Sequence, residues 1–379
     1  MIGVLGASGA VGRHAVEALI ASGCGPLRLG ARKPEALSAE FLTQAVETRA
    51  VDATEEASLA AFCDGTQVVL NCAGPSYLLK DSVARAALRA GADYVDVLGD
   101  DPAREALSAA GEPATERTVV LSAGTVPGLS ALVPYVLMEG GAGTSPPERL
   151  VAYAGGLERA TPTVAADILL SLDVGGANGE PFGLPLAAWR HGRREQRALR
   201  VEENAEIPFH PRQVALQPLL TAEVERLAAA MGLREAEWYN VFPGQQIRSL
   251  FTALPTLPVD TPEEREAVIA RILTAGQIDL AGAEPYYRLV MTLSGEDWSR
   301  TGVVSTDDSY RLTGATAAHT VRALLDGRIP PGLHFAADVL KPRNLIDDLV
   351  LTKAADFSVY EGAAGSGERD GMGFEDGEL

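Results

Sequence analysis

The sequence predicts an α/β protein: a doubly wound parallel sheet, then a second, α+β domain whose sheet is largely antiparallel. Three observations predict it. Gly6, Gly9 and Gly12 stand between a short apolar run and a helical pattern. Strand-like and helix-like segments then alternate through six strands, the rhythm of βαβ units. Beyond about residue 126 the rhythm changes to alternating apolar and polar strands mixed with longer helices.

The apolar run 2–5 has the length of a buried strand. Residues 10–21 carry Val11, Ala15, Leu19 and Ile20 at helical spacing, and Gly23 is the stop signal. A strand that turns through glycines into a helix aims backbone N–H groups and the helix N-terminus at one point, where a pyrophosphate binds. This makes the first sheet Rossmann-type. Residues 26–33 are the second strand, 45–51 the third, and 67–71 an apolar strand running into the small residues before Pro75. Residues 93–99 and 118–121 complete the six. Helices are expected around Leu59 and Phe62, over 81–90 (stopped by Gly91) and over 102–110.

In the second half, 129–138 reads as a helix, 140–147 as a loop, 150–154 as a strand and 163–172 as a helix. A strand at 197–202 and a long amphipathic helix over 212–231 follow. Residues 286–294 and 300–306 alternate around Gly295-Glu-Asp-Trp298, a β-hairpin. A helix over 315–325 ends at Gly327 and Pro330-Pro331. The division is therefore 1–126 for the dinucleotide-binding domain and 127–335 for a substrate and oligomerisation domain. Residues 336–360 are expected to return to the first domain, and 361–379 form a Gly-rich acidic tail read as mobile.

Composition narrows the function. The chain has 379 residues and a net charge of −19, which argues against a nucleic-acid partner, because phosphate backbones need a basic surface. No apolar run reaches membrane-spanning length, and the first residues already form a strand, leaving no signal-peptide pattern. Cys24, Cys63 and Cys72 have no metal-type spacing, so no metal is expected and a cytoplasmic location suits them. The short-chain dehydrogenase Tyr-x-x-x-Lys pair, a P-loop, H-E-x-x-H, C-x-x-C and G-x-S-x-G are all missing.

What remains is a dinucleotide site. Its expected residues are Gly6, Ser8, Gly9, Ala10, Val11 and Gly12 in the turn, with Cys72, Ala73, Gly74, Pro75, Tyr77 and Gly124 at the ends of later strands. Where an acid would accept the 2′-OH of NAD, the second strand ends in Arg32 and Lys33, so NADP(H) is preferred over NAD(H). Asp52 and Ala53 close the third strand; the Asp52 carboxylate would accept from the adenine amino group or cap the following helix.

Gly6-Ala-Ser-Gly-Ala-Val-Gly12, Asn71-Cys-Ala-Gly-Pro75, Gly91-Ala-Asp-Tyr-Val-Asp96 and Thr125-Val-Pro-Gly-Leu-Ser130 resemble the saccharopine dehydrogenase-like reductases. Within them, Gly155-Gly-Leu-Glu-Arg-Ala-Thr-Pro162, Ile207-Pro-Phe-His-Pro211 and Trp238-Tyr-Asn240 look more like stand-alone thiazolinyl imine reductases of siderophore assembly lines. The resemblance implies hydride transfer from NADPH to a C=N carbon. Lys80-Asp81 departs from it, since family members often carry glycine after the turn at Pro75.

Imine reduction needs a proton source near the nitrogen. The candidates are His210, Tyr239 and Asp96, with Tyr94 and Lys80 beside them; Asp96 is expected to order the site. His210 has a suitable reference pKa but also reads as a packing histidine, and Tyr239 as a core aromatic. The expected substrate is a small-molecule imine, free or tethered to a carrier protein, and the chain is expected to form a homodimer. An opine- or saccharopine-type amino acid dehydrogenase is the second reading, with Arg190, Arg193, Arg194 and Arg248 as carboxylate binders. A catalytically silent dinucleotide sensor is the third.

Overall fold

The structure, a computed structural model, describes residues 1–37, 47–109, 116–139, 145–172 and 183–362. Strands β1 (Ile2–Leu5), β2 (Leu27–Ala31), β3 (Glu47–Ala50), β4 (Val68–Asn71), β5 (Asp93–Asp96) and β6 (Thr118–Leu121) form a parallel sheet. A strand from far along the chain, Gly332–Phe335, is added beside β6, so the order is Gly332–Phe335, β6, β5, β4, β1, β2, β3. Strands such as Ile-Gly-Val-Leu and Val-Val-Leu-Asn are buried throughout, as expected for a sheet covered on both faces.

Alternate residues of these strands feed two cores. Val4, Leu29, Leu70, Val95 and Val120 pack with Ala15, Val16 and Leu19 of the helix Ala10–Ala21 and with Leu312 and Val321 of the helix Ser309–Leu325. Leu5, Val69, Tyr94 and Val119 face the helices Glu56–Cys63, Ser82–Arg89 and Asp101–Ala109.

The second sheet is built from β7 (Arg149–Leu157), β8 (Gly183–Pro185), β9 (Ala188–Arg190), β10 (Arg193–Glu195), β11 (Glu202–Ala205), β12 (Val214–Thr221), β13 (Glu235–Phe242), β14 (Tyr286–Ser294) and β15 (Ser299–Thr306). It is mixed and mostly antiparallel; β13 and β7 run parallel. Its inner face (Leu150, Ala152, Trp238, Leu289, Met291) joins the first sheet's core through the helices Leu129–Glu139 and Ala222–Met231. Its outer face carries Tyr239, Val241, Val214 and Leu216, with Val151 and Tyr153 packed against them. Among the described residues no helix is long and apolar enough to cross a membrane.

Four expectations need correction. The helix expected over 212–231 is strand β12 followed by the helix Ala222–Met231. Pro218 removes a helix donor, and Thr221 ends the strand as an N-cap, accepting from the Val224 N–H at 3.3 Å. The strand expected at 197–202 is instead β11, because Arg197 takes φ 54° and turns the chain first. The return to the first sheet is made by Gly332–Phe335 (β16), and the helix Ser309–Leu325 lies along Ala10–Ala21, so the return precedes residue 336. The segment after it ends as β17 (Asp356–Gly362), which pairs with β15 of the second sheet. Glu361 and Gly362 thus belong to a strand; the rest of the expected tail, 363–379, lies outside the described residues, as do 140–144 of the expected loop.

Candidate functional site

The carboxyl ends of β1, β2, β4, β5 and β6 open into one crevice. Its floor begins with the glycine turn. Gly6 has φ 79°, and a Cβ there would lie 2.7 Å from the Ala73 nitrogen. A Cβ at Gly12 would lie 2.2 Å from the Gly6 carbonyl oxygen, so this glycine lets the helix sit tight on the turn. Gly9 is the exposed N-cap and supplies no side-chain cap to the helix. The first-turn N–H groups at Ala10, Val11 and Gly12, which a helix cannot satisfy itself, are thereby left for an anion. Ser8 stands half-buried beside them.

Arg32 and Lys33 follow β2 and are exposed. Asp52 lies near Arg32; its Oδ1 accepts from the Thr54 N–H (2.9 Å) and hydroxyl (2.7 Å), which holds its carboxyl below the usual range. The helix begins only at Glu56, so Asp52 forms a local turn and does not cap the helix directly. Ala53, next to it, packs against the second core.

After β4, Cys72 donates its backbone N–H to Leu5 O (2.9 Å) and Ala73 to Asn71 Oδ1 (3.1 Å), which draws this loop against the glycine turn. Gly74 and Pro75 lead into the short helix Ser76–Leu79, which contains Tyr77. Lys80 ends it with φ 44°, in the left-handed region that glycine occupies without strain. Burial pushes the Cys72 thiol far up, so it is a packing group and no nucleophile.

Asp96 is the fastener of the crevice. Its Oδ2 accepts from Asn71 Nδ2 (3.0 Å) and from the Tyr94 hydroxyl, and its Oδ1 from the N–H groups of Leu98 and Gly99 (both 2.9 Å). Four donors occupy a buried carboxylate whose work is to hold the ends of β4 and β5 together. Tyr94 is fully buried, and its phenol is pushed well up by burial and by Asp96. Gly124, after β6, is buried against Val97 O, and the neighbouring Thr125 shares a 2.8 Å hydroxyl contact with Thr313 of the helix Ser309–Leu325.

The second domain roofs this crevice with the segment after β7. Glu158 accepts the Ser309 N–H at 2.5 Å, and burial raises its carboxyl to about 7. Four residues on, the helix Pro162–Leu172 brings Asp167 to Ser76, whose N–H it accepts at 3.2 Å; burial raises this carboxyl to about 6. Thr163 of the same helix closes on Gly74, where a Cβ would lie 2.7 Å from its methyl group. Asp308 caps the helix beginning at Ser309 and pairs with His14 of the first helix at 3.1 Å. The Asp167–Ser76 contact thus ties the second domain to the loop after β4, and the His14–Asp308 pair ties together two helices on one face of the first sheet.

Sequence reasoning missed Glu158 and Asp167. The signal for Asp167 was there: it is the one charge in Pro-Thr-Val-Ala-Ala-Asp-Ile-Leu-Leu-Ser-Leu. Two named catalytic candidates lie elsewhere. Tyr239 is on the outer face of the second sheet, donating to Glu237 at 2.8 Å and stacked 5.3 Å from Tyr153, because odd-numbered β13 residues point away from the nucleotide domain. His210 sits in the loop over that same face, beside Tyr286, and burial with Arg288 lowers it to about 4. Neither faces the crevice.

Comparison with known proteins agrees with this geometry. Residues 2–124 match the family described as "Saccharopine dehydrogenase NADP binding domain". The first domain is therefore an NADP-binding domain of the saccharopine dehydrogenase type, and the preference for NADP(H) stands on that match. A solved structure of apo saccharopine dehydrogenase (L-Glu forming) from Saccharomyces cerevisiae superposes with a TM-score of 0.66 at 15% identity, covering 96% of this chain and 99% of that one. It shows the fold of both domains. A Rossmann-fold NAD(P)-binding family protein from Shigella flexneri is similar over 32% of this chain and 65% of its own, at 21% identity and a TM-score of 0.26. No curated protein matches the sequence.

Proposed function

We propose that the protein is an NADPH-dependent reductase of a C=N bond, acting on a cyclic imine of the thiazoline kind, free or tethered to a carrier protein. The observation that carries this reading is a pair of buried carboxyls on the segment after β7: Asp167, in contact with Ser76 after β4 and raised to about 6, and Glu158, in contact with Ser309 and raised to about 7. Bound NADPH would supply the hydride. The imine nitrogen must gain a proton as its carbon gains the hydride, and a carboxyl still protonated near pH 7 is suited to give it. After giving it, the carboxylate would stabilise the cationic nitrogen electrostatically. The glycine turn would hold the pyrophosphate and Arg32 the 2′-phosphate; Asp96 keeps the strand ends in register.

A saccharopine-type dehydrogenase is the second reading, favoured by the likeness over nearly the whole chain to the yeast enzyme. Its substrates carry carboxylates. Arg190 is tied to Glu237, Arg194 to Glu225 and Arg248 to Glu203 O, while Arg193 is exposed on β10. Those four arginines are therefore poor carboxylate binders for the crevice, and its acidic roof favours an uncharged or cationic imine. The test is NADPH oxidation with a panel of cyclic imines and of amino acid/oxo acid pairs. Turnover of the pairs alone would overturn the imine assignment; cofactor binding without any turnover, carrier-tethered imines included, would leave the sensor reading.

A further inference from the structure

The outer face of the second sheet carries a polar cluster that imine reduction does not use. It is organised by the loop between β11 and β12. Phe209 takes φ 65°, a costly conformation for an aromatic residue and one that persists where the surroundings enforce it. Its ring lies 4.7 Å from that of Tyr360, and the next residue, His210, meets the Tyr286 ring edge-on at 6.0 Å. Both ring nitrogens of His210 and the hydroxyl of Tyr286 are closed to solvent and have no hydrogen-bond partner among the described residues. Buried polar atoms ordinarily find one.

Two arginines stand near them. The Arg288 guanidinium lies 5.6 Å from the centre of the Tyr286 ring, and Arg212 also acts on the Tyr286 phenol. Neither arginine pairs with a described acid, although Asp and Glu outnumber Lys and Arg by 51 to 32. The cluster is rich in donors and, among the described residues, contains no carboxylate. Its matching ligand is rich in acceptors and negatively charged. The geometry points to a binding site for an oxyanion, the carboxylate or phosphate of a small molecule, held by Arg288, Arg212, His210 and Tyr286.

Tyr286 is paired with Leu157, the residue before Glu158, so the site lies next to the crevice along the chain but on the opposite face of the sheet. It is separate from the nucleotide floor and does not depend on C=N chemistry. His210 is neutral near pH 7 and presents one N–H; an anion beside it would offset the field of Arg288 and raise its pKa from about 4.

The test follows the His210 ring by NMR in the full chain, with inorganic phosphate or citrate titrated at constant ionic strength. A saturable shift with either probe, accompanied by a rise in the His210 pKa, is expected; which probe is preferred separates phosphate from carboxylate ligands. Arg288→Gln should weaken the affinity by about ten-fold. Arg212→Gln, at an exposed side chain, is the companion variant if Arg288→Gln does not fold, and should weaken it in the same direction. NADPH affinity measured alongside should not change, so this site and the proposed reaction fail or stand separately. A shift that never saturates, or that both variants leave untouched, would overturn the site. So would a shift that follows protein concentration without added anion, since a second copy's carboxylate would then be the occupant.

Discussion

Asp167 accepts the backbone N–H of Ser76 at 3.2 Å, and in doing so ties the roof of the second domain to the loop that leaves β4. A carboxyl in that position does two jobs with different chemical requirements. Holding Ser76 requires an acceptor; giving a proton to a substrate requires an acid.

Those jobs separate on substitution. Asp167→Ala removes the acceptor from a half-buried N–H and should lower stability by about 1–2 kcal/mol. Asp167→Asn keeps an acceptor oxygen and should restore most of that stability. If Asp167 also serves the reaction, kcat should stay low in both variants, whereas recovery of kcat with stability would assign it a positioning role alone. Thermal melts and steady-state rates on the same preparations decide between them.

Glu158 should govern the pH profile of turnover. Its carboxyl is raised to about 7 by burial, so the protonated fraction falls as pH rises through that value. An acid-requiring rate then declines on the alkaline side. Glu158→Gln should lower kcat by roughly 10²-fold and remove this limb while leaving NADPH affinity nearly unchanged. A limb that persists in Glu158→Gln would exclude Glu158 as the proton donor.

The glycines of the first turn should fail in different ways. At Gly12 a Cβ would meet the Gly6 carbonyl at 2.2 Å, so Gly12→Val should destabilise the domain itself. At Gly9 the nearest atom is 3.2 Å away and the position is exposed, so Gly9→Val should fold but fill the anion cradle. Calorimetry with NADPH should show a folded Gly9→Val protein with little cofactor affinity. Arg32→Ala should weaken NADPH by about 10- to 100-fold and NADH far less, the value of a charge-assisted contact to the 2′-phosphate. Equal losses for the two cofactors would remove Arg32 from that role.

The first domain was legible because its signals are local. Glycine turns, strand runs of four residues and helix stops each occupy a few neighbouring positions, and the floor residues follow from the strand ends. The roof was not, because Glu158 and Asp167 become site residues only when β7 and the helix Pro162–Leu172 are laid over a crevice made elsewhere in the chain. The same difference explains His210 and Tyr239. Their chemistry is visible in sequence, but the sheet face they occupy is decided by register against β12, β7 and β14. The mistaken helix over 212–231 had a local cause as well: the strand Val214–Thr221 runs without a break into a helix whose N-cap is the strand's last residue.

Above pH 7 stability should fall with rising pH, and Glu223 should account for a large part of that fall. This buried carboxyl accepts the Gly128 N–H at 2.6 Å and meets the Ser130 hydroxyl, at the start of the helix Leu129–Glu139. Burial outweighs those bonds and raises it from 4.5 to about 8. The folded state therefore binds this proton more tightly than the unfolded state does. The resulting stabilisation is complete below the unfolded pKa and is lost as pH climbs through the folded value. Glu158 and Asp167 act in the same direction, but their windows close at about 7 and about 6. Between about pH 7 and pH 8.5 the decline then belongs to Glu223 together with His14, whose imidazole is held above its usual value by Asp308 and Glu17. Glu223→Gln keeps an acceptor for Gly128 and cannot ionise, so it should be more stable than the parent at the alkaline end by about 1–3 kcal/mol and should decline less across that interval. Denaturant unfolding of both proteins at the two pH values measures this, and an equal decline in Glu223→Gln would place the titrating group elsewhere.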